Sequence, residues 1–330
     1  MAKSSTAPPP RPDVLAFLQK IKEDPDDDTP RLVLSDWLEE HGDTARAEFI
    51  RVQCERAKLT KKNPRCGQLH RRARLLRRRH ENHWLEPLRE HTLVHDFVRG
   101  LVAIEINNRK AFDKQALRRL TATEACAWVY SLRVPDDRTY QDFVRFAALL
   151  LVHLNELACH IDDKDAVILA ASPNACHLRH VELADSFITS RGMKRLAASP
   201  HLANLTSLDL SHTLIGPTGA EALAASSHLT KLTRLDLSET TIGDPGVCAL
   251  ANAPNLTKLK ELSLFIFQAD NVETFKDDEN DVRPFGDKGA RALVASQYLN
   301  QLVYLDLRGN RISRQTQVAL RDRFGKAARL

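Results

Sequence analysis

The sequence predicts an α/β solenoid, with a parallel inner sheet and an outer layer of helices, preceded by a small all-α domain. Three observations predict it. An apolar hexad recurs in the C-terminal half: LRHVEL at 178, LTSLDL at 205, LTRLDL at 232, LKELSL at 259 and LVYLDL at 302. Each copy runs, as in SHTLIGPTGAEALAAS, through a turn containing Ile215 and Gly216 into an alanine-rich stretch. The N-terminal part instead shows helical spacing bounded by capping and turn residues.

Taken in chain order, residues 1–12, MAKSSTAPPPRP, hold no apolar run and three successive prolines, so they lack the hydrophobic segment of a secretory signal and read as a disordered lead-in. Residues 13–96 read as a helical domain with a basic bridging helix. Asp13 is the expected N-cap of a first helix carrying Val14, Leu15, Leu18 and Ile21, which ends at the turn-forming PDDDTP. A second helix, RLVLSDWLEEHG, places Leu34, Trp37 and Leu38 on one face, with Gly42 as its left-handed C-cap. Asp43 then caps a third, TARAEFIRVQCERAKL, with Ala47, Ile50 and Cys54 inward.

Between residues 51 and 79 the chain holds twelve Lys or Arg and one acid, Glu55, so this stretch carries +11 in a protein of net charge +5 and the remainder carries −6. Its densest part is Arg71, Arg72, Arg74, Arg77, Arg78 and Arg79. Such a face meets nucleic-acid phosphates or an acidic protein by counterion release, or is simply solvated. Few aromatics accompany it, Trp84 alone lying near, and no nucleic-acid-binding fold is evident.

The first three steps between hexads are 27 residues and the last is 43, which leaves a 16-residue insertion. Alternation at Leu208 and Leu210 marks a short strand, while Ala220, Leu223 and Ala224 recur at helical spacing. Neither layer buries its apolar side alone, so the units must stack in parallel; helices are wider than strands, and the stack curves with the strands on its concave side. Weaker copies place Leu101, Ile104 and Ile106, then Val129, Leu132 and Val134, then Leu154, Leu157 and Cys159 in the hexad's apolar positions, so the solenoid is expected over 97–330, in about eight units. The insertion, near 268–285, holds Asp270, Glu273, Asp277, Asp278, Glu279 and Asp281 without the DxDxDG order of a calcium loop, and reads as a mobile acidic loop.

Residues 178–330 resemble ribonuclease-inhibitor-type leucine-rich repeats, which implies a horseshoe that binds proteins on its concave face. The sequence departs from that pattern at the turn asparagine: only Asn310 fits, while Ser186, Thr213, Thr240 and Phe267 stand in the equivalent places. RLVLSDWLEEHGDTARAEFIRVQ resembles the repeat-companion domain that precedes repeats in many planctomycete proteins, over about residues 13–58, and NHWLEPLRE and FVRGLVAIEI resemble its bridge into the repeats. This second resemblance implies architecture and no chemistry. Arg31, Asp36, Trp37, Asp43, Arg46 and Glu48 match its motif and are expected to act structurally, Trp37 by filling the bundle core.

In the hexad the third and fifth positions point away from the core. The candidate partner-binding strip is therefore His180, Glu182, Ser207, Asp209, Arg234, Asp236, Ser263, Glu261, Tyr304 and Asp306, with Glu105 and Arg133 extending it. Two readings stand: a recognition surface, or ordinary repeat residues keeping the strands soluble. No GxSxG, P-loop, dinucleotide-binding or HExxH motif occurs, so no catalytic residue and no cofactor is expected. His91 and His95 lie four apart but lack a third ligand, and the six cysteines form no CxxC pair; free thiols in a reducing compartment, hence a cytoplasmic protein, are expected. The longest apolar run, Phe146 to Leu154, is roughly half the ~20 residues that span a bilayer. The leading expectation is a monomeric, non-catalytic scaffold binding a protein; the alternatives are a nucleic-acid-associated protein using Arg71 to Arg79 and, by fold analogy alone, a small-GTPase regulator.

Overall fold

A computed structural model describes residues 9–60, 62–86, 88–89, 92–106, 121–134, 151–267 and 284–330. Most of the lead-in, His91, the His95 side chain, most of the Phe146–Leu154 run and the acidic insertion lie outside the described residues. The chain divides into two compact units, residues 1–135 with 149–156, and residues 136–148 with 157–330.

The first unit opens with helices α1 (Pro12–Glu23), α2 (Thr29–Glu40), α3 (Thr44–Lys58) and α4 (Pro64–Trp84). Asp13 is not the cap expected of it: Pro12, whose fixed φ suits a first helical position, starts α1 two residues before the expected Val14 and leaves Asp13 in the first turn. Asp43 does cap α3, accepting from the Arg46 N–H at 3.4 Å, and Gly42 takes φ +86°. Trp37 does not fill the core. Leu34, Ser35 and Leu38 take the inward face of α2, and Trp37 is left half-buried at its margin, stacked on His41 with centroids 3.7 Å apart. The core tryptophans are Trp84 and Trp128. Arg46 is buried with them, its guanidinium 3.6 Å from the Trp128 ring centroid and 5.4 Å from that of Trp84, where the ring faces attract its charge.

Strands β1 (Thr92–Val98) and β2 (Leu101–Ile106) form an antiparallel hairpin, and β3 (Val129–Arg133), after the short helix α5 (Glu124–Ala127), pairs with β2 in parallel. Arg99 and Gly100 both have positive φ, as a two-residue hairpin turn of primed type requires. A Cβ on Gly100 would stand 2.6 Å from Ile50, so glycine is what lets this turn seat on α3. Gln53 of α3 fastens it, donating to the Phe97 carbonyl (2.9 Å) and accepting from the Gly100 N–H (2.7 Å). On α1, Lys22 is buried and donates to the carbonyls of Ala127 and Val129. The first strands after the bridge thus belong to the same compact unit as the helices.

The division falls within β4 (Glu156–Ala158). The second unit then alternates helix and strand: α6 (Asp163–Ala171), β5 (His180–Glu182), α7 (Ser190–Ala197), β6 (Ser207–Asp209), α8 (Gly216–Ala224), β7 (Arg234–Asp236), α9 (Gly243–Ala251), β8 (Glu261–Ser263), α10 (Asp287–Ala295), β9 (Tyr304–Asp306), α11 (Arg314–Phe324) and β10 (Ala328–Arg329). Strands β5 to β10 pair in parallel, and the hexad leucines are buried between strands and helices. The central apolar residues, Val181, Leu208, Leu235, Leu262 and Leu305, lie side by side in one register.

Polar side chains join successive repeats within the second unit. The hydroxyls of Thr213 and Thr240 bond carbonyls three residues back, within their own turns (2.5 and 2.6 Å). Asn310 does more: its amide donates to Leu307 O (3.0 Å) and Leu264 O (2.8 Å) and accepts from the Phe285 N–H (3.2 Å), so it spans two units. The threonine hydroxyls therefore replace only the local half of asparagine's bonding, whereas the Ser186 hydroxyl takes the other half, accepting from the Ile161 N–H of the preceding repeat (3.1 Å). Phe267, in the equivalent place, turns outward and is 70% exposed. On the helical side, an aspartate in a helix's first turn accepts from the backbone of the next unit. Asp163 holds the N–H groups of Thr189 and Gly192 (both 2.9 Å), Asp244 those of Gly286 and Gly289 (3.1 and 2.6 Å), and Asp287 that of Ser313 (2.8 Å). Ser190 and Pro217 occupy the equivalent places on α7 and α8.

Candidate functional site

The strand register brings the expected strip together in two rows. One runs His180, Ser207, Arg234, Glu261, Tyr304 and the other Glu182, Asp209, Asp236, Ser263, Asp306, each residue paired with the next across adjacent strands. Strands lie about 4.8 Å apart, so each five-residue row extends roughly 19 Å. Glu105 and Arg133 pair with one another on β2 and β3, in the first unit.

The two rows differ in what their side chains do. Asp209 accepts from the N–H and hydroxyl of Ser211 (2.9 and 2.7 Å), Asp236 from the Ser238 N–H (3.0 Å), and Asp306 from the Arg308 N–H (3.2 Å). Each aspartate thus holds the turn that follows its strand, two residues on, as Asx turns do. Asp306 is committed further. It is 2% exposed, takes both a Tyr304 hydroxyl bond (3.0 Å) and a two-pronged Arg308 ion pair (2.9 and 2.7 Å), and has no free edge for a ligand. Burial alone would raise its carboxyl, but the bonds from Arg308 and Tyr304 outweigh burial and hold it below the ordinary carboxylate range. As a free acid on an open surface, the expected role of Asp306 is corrected.

The other row is more open. His180, Arg234 and Glu261 are exposed, and Arg234 and Glu261 sit only 3.8 Å apart in a solvent-screened pair. The Tyr304 ring lies under the Arg329 guanidinium at 4.8 Å. Val303, 67% exposed, stands beside it. Phe187 and Leu214, 61% and 40% exposed, occupy the same place in successive units, 27 residues apart. The hexad says nothing of them, yet the period alone marks the pair.

Arg71 to Arg79 all lie on α4, which buries Leu69, Ala73, Leu76 and Trp84. Two of the six arginines are tied down. Arg72 makes a two-pronged pair with Glu48 (2.5 and 2.6 Å), and Arg77 pairs with Glu81 (2.7 Å) and lies over the Phe97 ring at 5.2 Å. Arg71, Arg74, Arg78 and Arg79 are exposed. All six cysteines are free thiols, and burial pushes Cys54, Cys126 and Cys159 up to about 12. Among the described residues no three His, Cys, Asp or Glu side chains cluster as metal ligands, and no helix is long and apolar enough to cross a membrane.

Residues 201–224 and 228–251 match the family model described as Leucine Rich repeat, two stretches that take in β6 with α8 and β7 with α9. None of the curated proteins compared matches the chain. Among solved structures the chain is similar to an internalin from Listeria monocytogenes str. 4b F2365, with 13% identity over 66% of this chain and 88% of that one and a TM-score of 0.25, a level at which the likeness says nothing of ligand or partner. The matched stretches are leucine-rich repeats, and the second unit is an α/β solenoid built on their period.

Proposed function

We propose that the chain is a non-catalytic interaction scaffold that binds a protein through the open strand face of the second unit. The observation that supports it is the row His180, Ser207, Arg234, Glu261, Tyr304, which sets two opposite charges, an imidazole and an aromatic ring along adjacent strands. None of the five holds a strand-following turn as the aspartates do. Arginine and tyrosine are the residue types that anchor protein interfaces, and regular strands hold them in fixed positions at little entropic cost. The six free thiols fit a reducing compartment, which supports an intracellular setting. The resemblance of residues 13–58 to the repeat-companion domain supports reading the helices of the first unit as a companion domain that precedes the repeats in the chain.

Affinity capture from the native host, with the wild-type chain and with an Arg234→Glu, Glu261→Arg, Tyr304→Ala variant, tests the reading. Loss of a partner from the variant, with unchanged far-UV circular dichroism, is the expected result. Recovery of the same partners in the same amounts removes the strand face as the binding surface. Reversing Asp209 and Asp236 is the poorer experiment, because those carboxylates hold turns.

A further inference from the structure

We infer that the outward face of α4 is a second interaction surface, and that it takes an acidic helical segment of a partner protein carrying an apolar side chain among its carboxylates. The inference is independent of the strand-face reading, since α4 belongs to the first compact unit.

The arginines of α4 divide sharply. Those on its flanks are neutralised within the chain: Arg65 by Glu55 at 2.7 Å, Arg72 by Glu48, Arg77 by Glu81. The four that point outward, Arg71, Arg74, Arg78 and Arg79, have no ion pair among the described residues. Glu81 is the helix's single acid and is already engaged by Arg77. Like charges three and four residues apart on one helix, as in Arg71/Arg74 and Arg74/Arg78, repel and oppose helix formation. Folding gains nothing visible from this stripe, so an outside anion is what would relieve it.

The centre of the stripe decides which anion. Leu75 is 46% exposed and flanked on the helix surface by Arg71, Arg74, Arg78 and Arg79. Positions 71, 74, 75, 78, 79 and 82 are the i, i+3, i+4, i+7 pattern along which one helix packs on another, and they extend over roughly 16 Å of helix. Phosphates offer nothing to a central leucine, and α4 exposes no Phe, Tyr or Trp as a base-stacking platform. A helix bearing Glu or Asp at the same intervals satisfies the guanidinium groups two-pronged and covers Leu75 with its own apolar residue.

Fluorescence anisotropy on the full chain tests this with three probes: a peptide of about 20 residues with Glu at i, i+3, i+4 and i+7 around a central Leu, the same peptide with Gln for that Leu, and a DNA duplex of about 20 base pairs. The expected result is that the Leu peptide binds at low salt and more tightly than the duplex. Leu75→Ser weakens it about tenfold while leaving the Gln peptide unaffected, and the Arg74→Glu, Arg78→Glu variant weakens both peptides and flattens their salt dependence. All these positions are exposed, and circular dichroism verifies that the variants fold. No peptide binding at low salt overturns the inference. Tighter duplex binding that is blind to Leu75→Ser also overturns it and assigns the stripe to phosphate backbones.

Discussion

The two compact units solve the same problem, fastening helices to strands, by opposite means. In the second, the same places are used again and again: the central apolar residues align in register, and the turn and helix-start positions at which polar side chains join one repeat to the next recur at the repeat interval, though not always with the same residue. In the first, a few long-range contacts occur once each: Lys22 reaches carbonyls more than a hundred residues away, Gln53 clasps a hairpin turn, and Arg46 lies against Trp128. A repeat spreads stability over neighbour contacts that any unit can replace in kind, whereas a unique contact concentrates it.

The sharpest way to break this contrast is in the core. Leu235→Ala and Leu208→Ala, equivalent places in adjacent units, should each cost about 3 kcal/mol in urea unfolding and differ from one another by under about 1 kcal/mol. A disparity of several kcal/mol would show that the units are not interchangeable.

Next in size is a pH effect that arises mainly in the first unit. Burial lowers the Lys22 ammonium from 10.5 to about 7. The folded state then binds fewer protons than the unfolded state between those values, so stability is lowest below pH 7 and rises through the window. Above pH 9 the buried thiols, held protonated in the fold, begin to oppose the rise, and Arg46, lowered to about 9, begins to add to it. Between pH 7 and 9 the unfolding free energy should therefore climb by about 2 kcal/mol, and Lys22→Met should flatten that climb. A wild-type profile that is level over this interval would mean that the amine is hydrated.

The smallest expected effect separates the two rows of the strand face. Asp209→Ala should cost about 1 kcal/mol through its lost turn bonds, and Ser207→Ala, one pleat away, close to nothing. Equal thermal midpoints for the two variants would return the aspartates to the list of free surface acids.

The register of the strand face was legible in the sequence because a constant 27-residue step leaves only one alignment of strands, and alternation then fixes which side chains face outward. The turn-holding role of the aspartates was legible too, as the recurrent Asp-Leu-Ser of 209–211 and 236–238, but solubility explained the same letters. Trp37 and Trp128 show the limit. Both are tryptophans beside apolar residues, and which one is enclosed depends on Arg46 and on a strand some eighty residues downstream that no local period announces. Lys22 is the same case, a helix-surface residue by its letter and a buried one through Ala127 and Val129.

The first-turn aspartates of the solenoid helices have a mechanical consequence. Each grips the unit that follows it, and they occur at Asp163, Asp244 and Asp287 but not at Ser190 or Pro217. The joints from α7 to α8 and from α8 to α9 lack that grip; there the close approach of Gly219 to Met193 and of Gly246 to Ala220 fastens one helix to the next, so apolar packing takes over the work that a carboxylate does elsewhere.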